Sequence, residues 1–352
     1  MSGLIFPALF FGVSAASAAI TIDGTAAHHV FDGVGALSAG ASSRLLYDYP
    51  EPQRSDILDL LFKPFFGASL HILKVEIGGD AQSTDGSEAS HMHTRDDLSC
   101  SRGYESWLIR EAKARNPAIL TYGLSWATPR WVGDGAGNGT GFHSPDNWLY
   151  QTRWLQCMKS VTGYSIDWMG TWNEKFPGPP DYVTGLRAAF DAAGFTGTQI
   201  SVYDGDWSTG DVVSDALADP AFAASFSSVG RHYPCVMPFP TVETAIHKKY
   251  WSSEDSSSSN DWAGASCWAR LLNRNYVYNN MTATIAWSLI WSVPTGLPCE
   301  GAGLMTAIQP WSGHYSGGDG GGPPSPTPSL NGPLWLTAHT TQFTRPGWRC
   351  KS

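Results

Sequence analysis

Hydrophobic and polar positions along the chain alternate between two periods. Short runs rich in β-branched and aromatic residues lie at 29–35 (HVFDGVG), 71–78 (HILKVEIG), 119–126 (ILTYGLSW), 166–172 (IDWMGTW), 199–204 (QISVYD), 228–233 (SVGRHY), 249–253 (KYWSS) and 283–291 (ATIAWSLIW). Each reads as a strand. Between most of them apolar residues recur at helical spacing. The stretch 52–62 carries Ile57, Leu58, Leu61 and Phe62 on one stripe, and 104–115 carries Trp107, Leu108 and Ala112. Stretches 148–161, 182–193 and 261–278 behave alike. Repeated β-α units of this kind predict a (β/α)8 TIM barrel. A doubly wound open sheet is the alternative, and the absence of GxGxxG after any strand weakens it.

Composition agrees with one large globular unit. The 352 residues are 42% hydrophobic, enough for a sizeable core. Sixteen Trp and thirteen Tyr in a chain of low charge suit a protein that presents rings to sugars, although large cores also use Trp. The net charge of -9, with no Lys/Arg run, argues against a nucleic-acid partner. The start is apolar, and Ala16-Ser17-Ala18 fits a small-residue cleavage site, so 1–18 reads as a signal peptide without a basic leader. A buried first strand is the alternative. No later run approaches the ~20 residues of a membrane span. The expectation is a soluble protein of the secretory pathway, lysosomal or secreted. Asn138 and Asn280 head glycosylation sequons.

Cysteines stand at 100, 157, 235, 267, 299 and 350, with no zinc-type spacing. In an oxidising compartment some can pair, and their spacing leaves the connectivity open. The domain plan is then a signal peptide at 1–18, a catalytic barrel at 19–348 and a tail at 349–352. A Gly/Pro/Ser-rich tract at 317–333 reads as a flexible insertion, and the apolar stretch after it as the last barrel helix.

Barrel chemistry sits at the C-terminal ends of strands. The carboxylates there are Glu76, Asp80, Glu174, Asp204, Asp206, Glu254 and Asp255. Glu174, in GTWNEK, closes the fourth strand, and Glu254, in WSSED, closes the seventh. Ends of these two strands can converge on one substrate bond across the barrel. Glycoside hydrolysis with retention needs such a pair, about 5–5.5 Å apart, one protonated to serve the leaving oxygen and one ionised to attack. Glu174 would be the acid/base, its proton affinity raised by the second carboxylate. Glu254 would be the nucleophile, held ionised by surrounding donors that include the serines of YWSSEDSSSSN at 250–260. Asn173 can bond the sugar hydroxyl next to the reacting carbon.

Other constellations carry less. His91-Met92-His93 lacks a third ligand, so no metal is expected, and no cofactor either. The run 123–127 (GLSWA) misses the last glycine of a serine-hydrolase elbow. His232 and Tyr233 read equally well as pocket lining or as a core pair. Asp255 points away from Glu254 along its strand and reads as structural.

Several stretches resemble the galactocerebrosidase (galactosylceramidase) family of retaining glycoside hydrolases. They include 44–80, SEASHMH, MGTWNEK, YWSSED, GASCWARLLNRNY, MTATIAW, GLMTAIQPWSGHY and TAHTTQFTRPGW, in order from about 31 to 348. The resemblance implies a barrel that removes β-galactose from galactosylceramide, a glycosphingolipid, with peripheral membrane contact through the lipid only and a saposin-type lipid-presenting helper. By it, Glu174 is similar to the acid/base and Glu254 to the nucleophile. Thr84, Trp126 and Asn173 match galactose-contacting positions, and Ser257 and Trp287 further pocket residues.

The family continues into a β-sandwich and a lectin-like domain, and the expectation is a chain lacking both, with no counterpart of a pocket arginine from the sandwich. Cys267 would lack its family partner, Cys299 stands in place of a pocket tyrosine, and 317–333 is foreign. The alternatives are a β-glucosidase or glucosylceramidase-like hydrolase, or a truncated product that binds sugar without catalysis or does not fold.

Overall fold

Period-two alternation sorts the strand residues into two hydrophobic sets, and the sets close a barrel around one of them. The computed structural model describes residues 29–81, 84, 86–133, 141–205, 210–234, 245–291, 302–307 and 332–349. Eight parallel strands follow one another round a closed barrel: β1 (Gly33–Ser38), β2 (Ile72–Ile77), β3 (Leu120–Ser125), β4 (Trp168–Gly170), β5 (Gln199–Val202), β6 (Ser228–His232), β7 (Lys249–Asp255) and β8 (Ala283–Trp287), with β8 pairing back on β1. The inner set includes Leu37, Ile72, Tyr122, Trp126, Trp168, Trp251 and Trp287. The outer set, with Leu73, Val75, Met169 and Val202, packs on the helices through Leu58, Ile109, Leu155 and Leu186.

The helices are α1 (Ser42–Asp48), α2 (Gln53–Phe62), α3 (Glu105–Arg115), α4 (Pro145–Thr162), α5 (Pro180–Ala192), α6 (Gly210–Ala218), α7 (Pro220–Ser225), α8 (Trp262–Val277) and α9 (Gly332–Thr341). Their ends follow local chemistry. Helix α4 starts with proline at its first position and stops at Gly163, whose φ of 80° suits a residue without Cβ. Helix α8 is capped by the Asp261 carboxylate, which accepts the Gly264 N–H.

Three details depart from the sequence reading. The first strand begins four residues later than 29, because Val30 bridges Arg349 and the Phe31 N–H donates to the Trp348 carbonyl, closing the floor of the barrel with the C-terminal segment. The eighth strand stops at Trp287, and β9 (Ile290–Trp291) pairs instead with β10 (Met305–Thr306). Gly332 and Pro333, assigned to the insertion, open α9, and the rest of 317–333 lies outside the described residues. So do the signal peptide, the Asn138 sequon, Asp206 and Cys235, Cys299 and Cys350. Cys100 is bonded to Cys157, tying the segment before α3 to α4, and Cys267 is free.

Candidate active site

Four adjacent strands, β4 to β7, deliver the site. Asn173 and Glu174 follow β4, Asp204 follows β5, His232 ends β6 and Glu254 lies in β7. Glu174 takes a left-handed backbone, φ 49°, unusual for a residue with a side chain, and its N–H donates to the Asp204 carbonyl at 2.9 Å. The strained turn is held by its neighbours. The Asn173 N–H donates to the Ser125 carbonyl at 2.9 Å, and its side-chain amide donates to the Thr84 hydroxyl at 2.7 Å. The Trp126 indole N–H donates to the Thr84 carbonyl at 2.9 Å, so Thr84, Trp126 and Asn173 form one linked group.

Strand β7 carries a bulge. Arg231 pairs with Ser252 but His232 pairs with Glu254, and on the other side Ser252 pairs with Thr284 but Asp255 with Ala286. The extra residue breaks the in-out alternation. Ser253 and Glu254 therefore both face the barrel, while Ser252 and Asp255 share the outer side, where the Ser252 hydroxyl donates to Asp255 and Asn275 donates to it from α8. A Cβ on Gly230 would sit 2.6 Å from the Ser253 hydroxyl oxygen, so glycine there gives Ser253 room to reach Asp204 at 3.0 Å.

Beneath the strand ends lies a buried ionic network. Lys74 Nζ donates to Asp204 at 2.8 Å and to the Ser253 carbonyl at 3.0 Å, with neither the Lys74 nor the Asp204 side chain exposed. The Tyr122 hydroxyl also donates to Asp204. His232 Nε2 meets Asp204 at 2.6 Å, and Nδ1 faces Glu174 at 3.1 Å and Glu254 at 3.5 Å. The Tyr233 hydroxyl donates to Glu254 at 2.7 Å. The second Glu254 oxygen, Oε2, is buried without a hydrogen-bond partner among the described residues.

Electrostatics follow from these contacts. Burial would strip the His232 proton, but the Glu254 charge and the bonds to Asp204 and Glu174 outweigh it and hold the imidazolium up to about 9. Burial opposes ionisation of Asp204, yet the Lys74 charge and the His232 bond keep it well below the usual carboxylate range. The His232 hydrogen bond lowers Glu174 against a smaller effect of burial. Burial raises Glu254, although His232, Lys74 and Tyr233 pull the other way.

Two expectations are thereby corrected. A neighbouring carboxylate was to raise Glu174, but in the resting protein a cation lies closer to it than any anion effect can offset. Serines were to hold Glu254 ionised, but Ser252, Ser253 and Ser257 donate to Asp255, Asp204 and the Ser259 carbonyl, and the donor to Glu254 is Tyr233. Ser257 is turned into its own loop. Trp287 ends β8, buried against Trp291 in the inner cluster that also holds Trp126. Lys74 and Tyr122 carry no role in the sequence reading, and Asp204 enters it only as one strand-end acid. The signal was a lysine alternating with Ile72 and Glu76 on one face of ILKVEI, where Leu73, Val75 and Ile77 fill the other.

One oxygen of Glu174, Nδ1 of His232 and one oxygen of Glu254 lie within 4.8 Å of one another, the one group among the described residues with metal-ligand character. The ring nitrogens already face carboxylates, so a cation would have to displace the Nδ1 proton. One oxygen of each glutamate thus lies within 4.8 Å of the other, close enough for both carboxyls to act on one bond.

A closed parallel barrel with paired carboxylates at its strand ends is the architecture of the barrel glycoside hydrolases. The chain belongs to glycosyl hydrolase family 59, whose profile matches residues 31–342. It is 50% identical over 321 residues to galactocerebrosidase of Danio rerio, covering 90% of this chain and 46% of that protein. It is 45% identical over 324 residues to galactocerebrosidase of Homo sapiens, covering 90% and 44%. The chain thus spans about half the length of these relatives. Among solved structures it is similar to an endo-β1,6-glucanase, with TM-score 0.71, 16% identity and coverage of 94% of this chain and 79% of that one. The catalytic domain of GH30 xylanase C from Talaromyces cellulolyticus gives TM-score 0.68 at 16% identity, covering 94% and 80%. These two likenesses concern the fold alone.

Proposed function

We propose that the chain is a retaining β-galactosidase acting on galactosylceramide and related galactolipids. The observation that carries this reading is the approach of Glu174 and Glu254 within 4.8 Å, in a chain about half identical to galactocerebrosidases. Glu254 attacks the anomeric carbon through Oε2, the oxygen left without a partner, while Oε1 stays anchored to Tyr233. Glu174, whose side chain is 32% exposed against 4% for Glu254, protonates the leaving oxygen and then removes a proton from the water that releases the sugar. Thr84 and Asn173 lie beside Glu174 and read the sugar hydroxyls, with the buried Trp126 holding Thr84 from behind, while Ser257, turned into its own loop, takes no part.

The same reading places the protein in the secretory pathway, in the lysosome or secreted, with a leader at 1–18 and a glycan on Asn280. Its partners are the glycosphingolipid and a saposin-type protein that presents it. A panel of nitrophenyl glycosides tests the sugar. Galactoside is cleaved fastest, and preference for glucoside would favour the glucosylceramidase-like alternative. Azide restores turnover to Glu254→Gly with inversion if Glu254 is the nucleophile.

A further inference from the structure

His232 is fully buried, and both of its ring nitrogens face carboxylates: Nε2 faces Asp204 at 2.6 Å, and Nδ1 faces Glu174 at 3.1 Å and Glu254 at 3.5 Å. A neutral imidazole has one donor and one lone pair. With Nε2–H spent on Asp204, a neutral ring would press its Nδ1 lone pair against carboxylate oxygens. The contact is favourable only if one more proton lies between Nδ1 and Glu174, bonded to one or the other. These two placements differ by the movement of one proton over one hydrogen bond.

The partners of His232 decide which nitrogen gives its proton up. Asp204 is fixed by Lys74 at 2.8 Å, Ser253 at 3.0 Å and Tyr122, and cannot swing away. It holds Nε2–H in place. Tyr233 presents a ring edge to His232, and its hydroxyl is engaged by Glu254. The mobile proton is therefore the one on Nδ1. Glu174 is the partly exposed member of the cluster, and a sugar in the pocket would strip its water. Desolvation raises a carboxylate's proton affinity.

We propose that His232 stores the proton that Glu174 delivers, keeping it on Nδ1 between turnovers and passing it to Glu174 when substrate fills the pocket. In that transfer the Nδ1–H bond breaks, an O–H bond forms on Glu174 Oε1, and the ring keeps the electron pair as a neutral imidazole. A turn of the carboxyl group then presents the proton to the leaving oxygen. After water has been deprotonated by Glu174 and the sugar released, the proton returns to Nδ1. His232 is thus a positioning residue, acting through Glu174 and not touching substrate. The inference rests on the assignment of Glu174 as acid/base.

Two measurements test it. Nitrogen NMR of the full chain labelled in histidine, without ligand and near neutral pH, should show His232 protonated at both ring nitrogens. A neutral His232 ring overturns the proposal, whatever the enzyme's activity. In His232→Gln the proton has no store. The loss in kcat/KM should be about 100-fold for an aryl galactoside with a poor leaving group and under a tenth of that for dinitrophenyl galactoside, which needs little protonation. The alkaline limb of the pH profile should also move to lower pH. Equal losses on both substrates with an unmoved limb would mean a structural role and overturn the proposal. Absence of galactosidase activity in the parent protein would instead sink the functional reading, while the NMR result still decides where the proton resides.

Discussion

Lys74 and Asp204 form an ion pair at 2.8 Å in the centre of the barrel, reaching from β2 to the end of β5 with neither side chain exposed. Asp204 in turn carries His232 and, through it, contacts both glutamates. The pair is the mechanical root of the site and a large electrostatic commitment. Charges so deeply placed are tolerated only when matched.

Removing one partner therefore strips the other of a fixed counter-charge, leaving Asp204 only His232 and two hydroxyls. Lys74→Met and Asp204→Asn should each lower unfolding free energy by about 3–5 kcal/mol, and the double variant should recover part of the loss. Urea denaturation measures this. Additive losses in the double variant would show that the two charges do not depend on each other.

Tyr233→Phe removes the donor to Glu254 Oε1 at 2.7 Å. Burial already raises Glu254, and the tyrosine opposes that rise, so its loss drives the carboxyl further up. As the proposed nucleophile, Glu254 must be ionised. The acid limb of kcat/KM should move to higher pH, and the rate near neutral pH should fall about 10- to 100-fold, the worth of a hydrogen bond to a charged group of about 1.5–3 kcal/mol. An acid limb that stays in place would exclude this role for Tyr233.

A second acidic cluster bears on stability. Glu88 accepts the backbone N–H groups of Tyr104 at 2.6 Å and Glu105 at 3.2 Å, and its own N–H donates to Glu76 at 2.8 Å. Burial, aided by the Glu76 charge and opposed by the backbone donors, pushes Glu88 up to about 7 from its ordinary 4.5. A carboxyl raised in the folded state binds its proton there first. Its contribution to stability is fully present below the ordinary value and disappears as pH rises through about 7. The wild type should gain on Glu88→Gln, whose amide imitates the protonated acid, by on the order of 2 kcal/mol between alkaline and mildly acidic pH. Urea midpoints across that range measure the difference, and a difference independent of pH would contradict the assignment.

Much of this architecture is legible in the chain because inner and outer sets separate cleanly along strands such as ILKVEI. The paired glutamates were legible for the same reason, as acids standing where apolar strands end. Three features were not. The bulge in β7 is invisible because a serine pair in a strand fits either alternation, and the ladder to β6 and β8 decides it. Glu174's left-handed backbone has no signature in a residue with a side chain. The Lys74–Asp204 pair joins residues 130 positions apart, and only barrel closure brings them together. The sign of the Glu174 shift was misread because His232, the nearest charge, enters from a strand that the local motif does not contain.

In the proposed mechanism Glu254 attacks the sugar while Glu174 serves the leaving group. A fluorinated galactosyl fluoride, which forms the covalent intermediate but releases it slowly, tests it most directly when followed by peptide mass spectrometry. One galactosyl adduct per chain is expected, on Glu254, in the peptide that contains YWSSED. An adduct on Glu174 or on any other residue, or active protein that turns over galactoside without ever carrying an adduct, would contradict it.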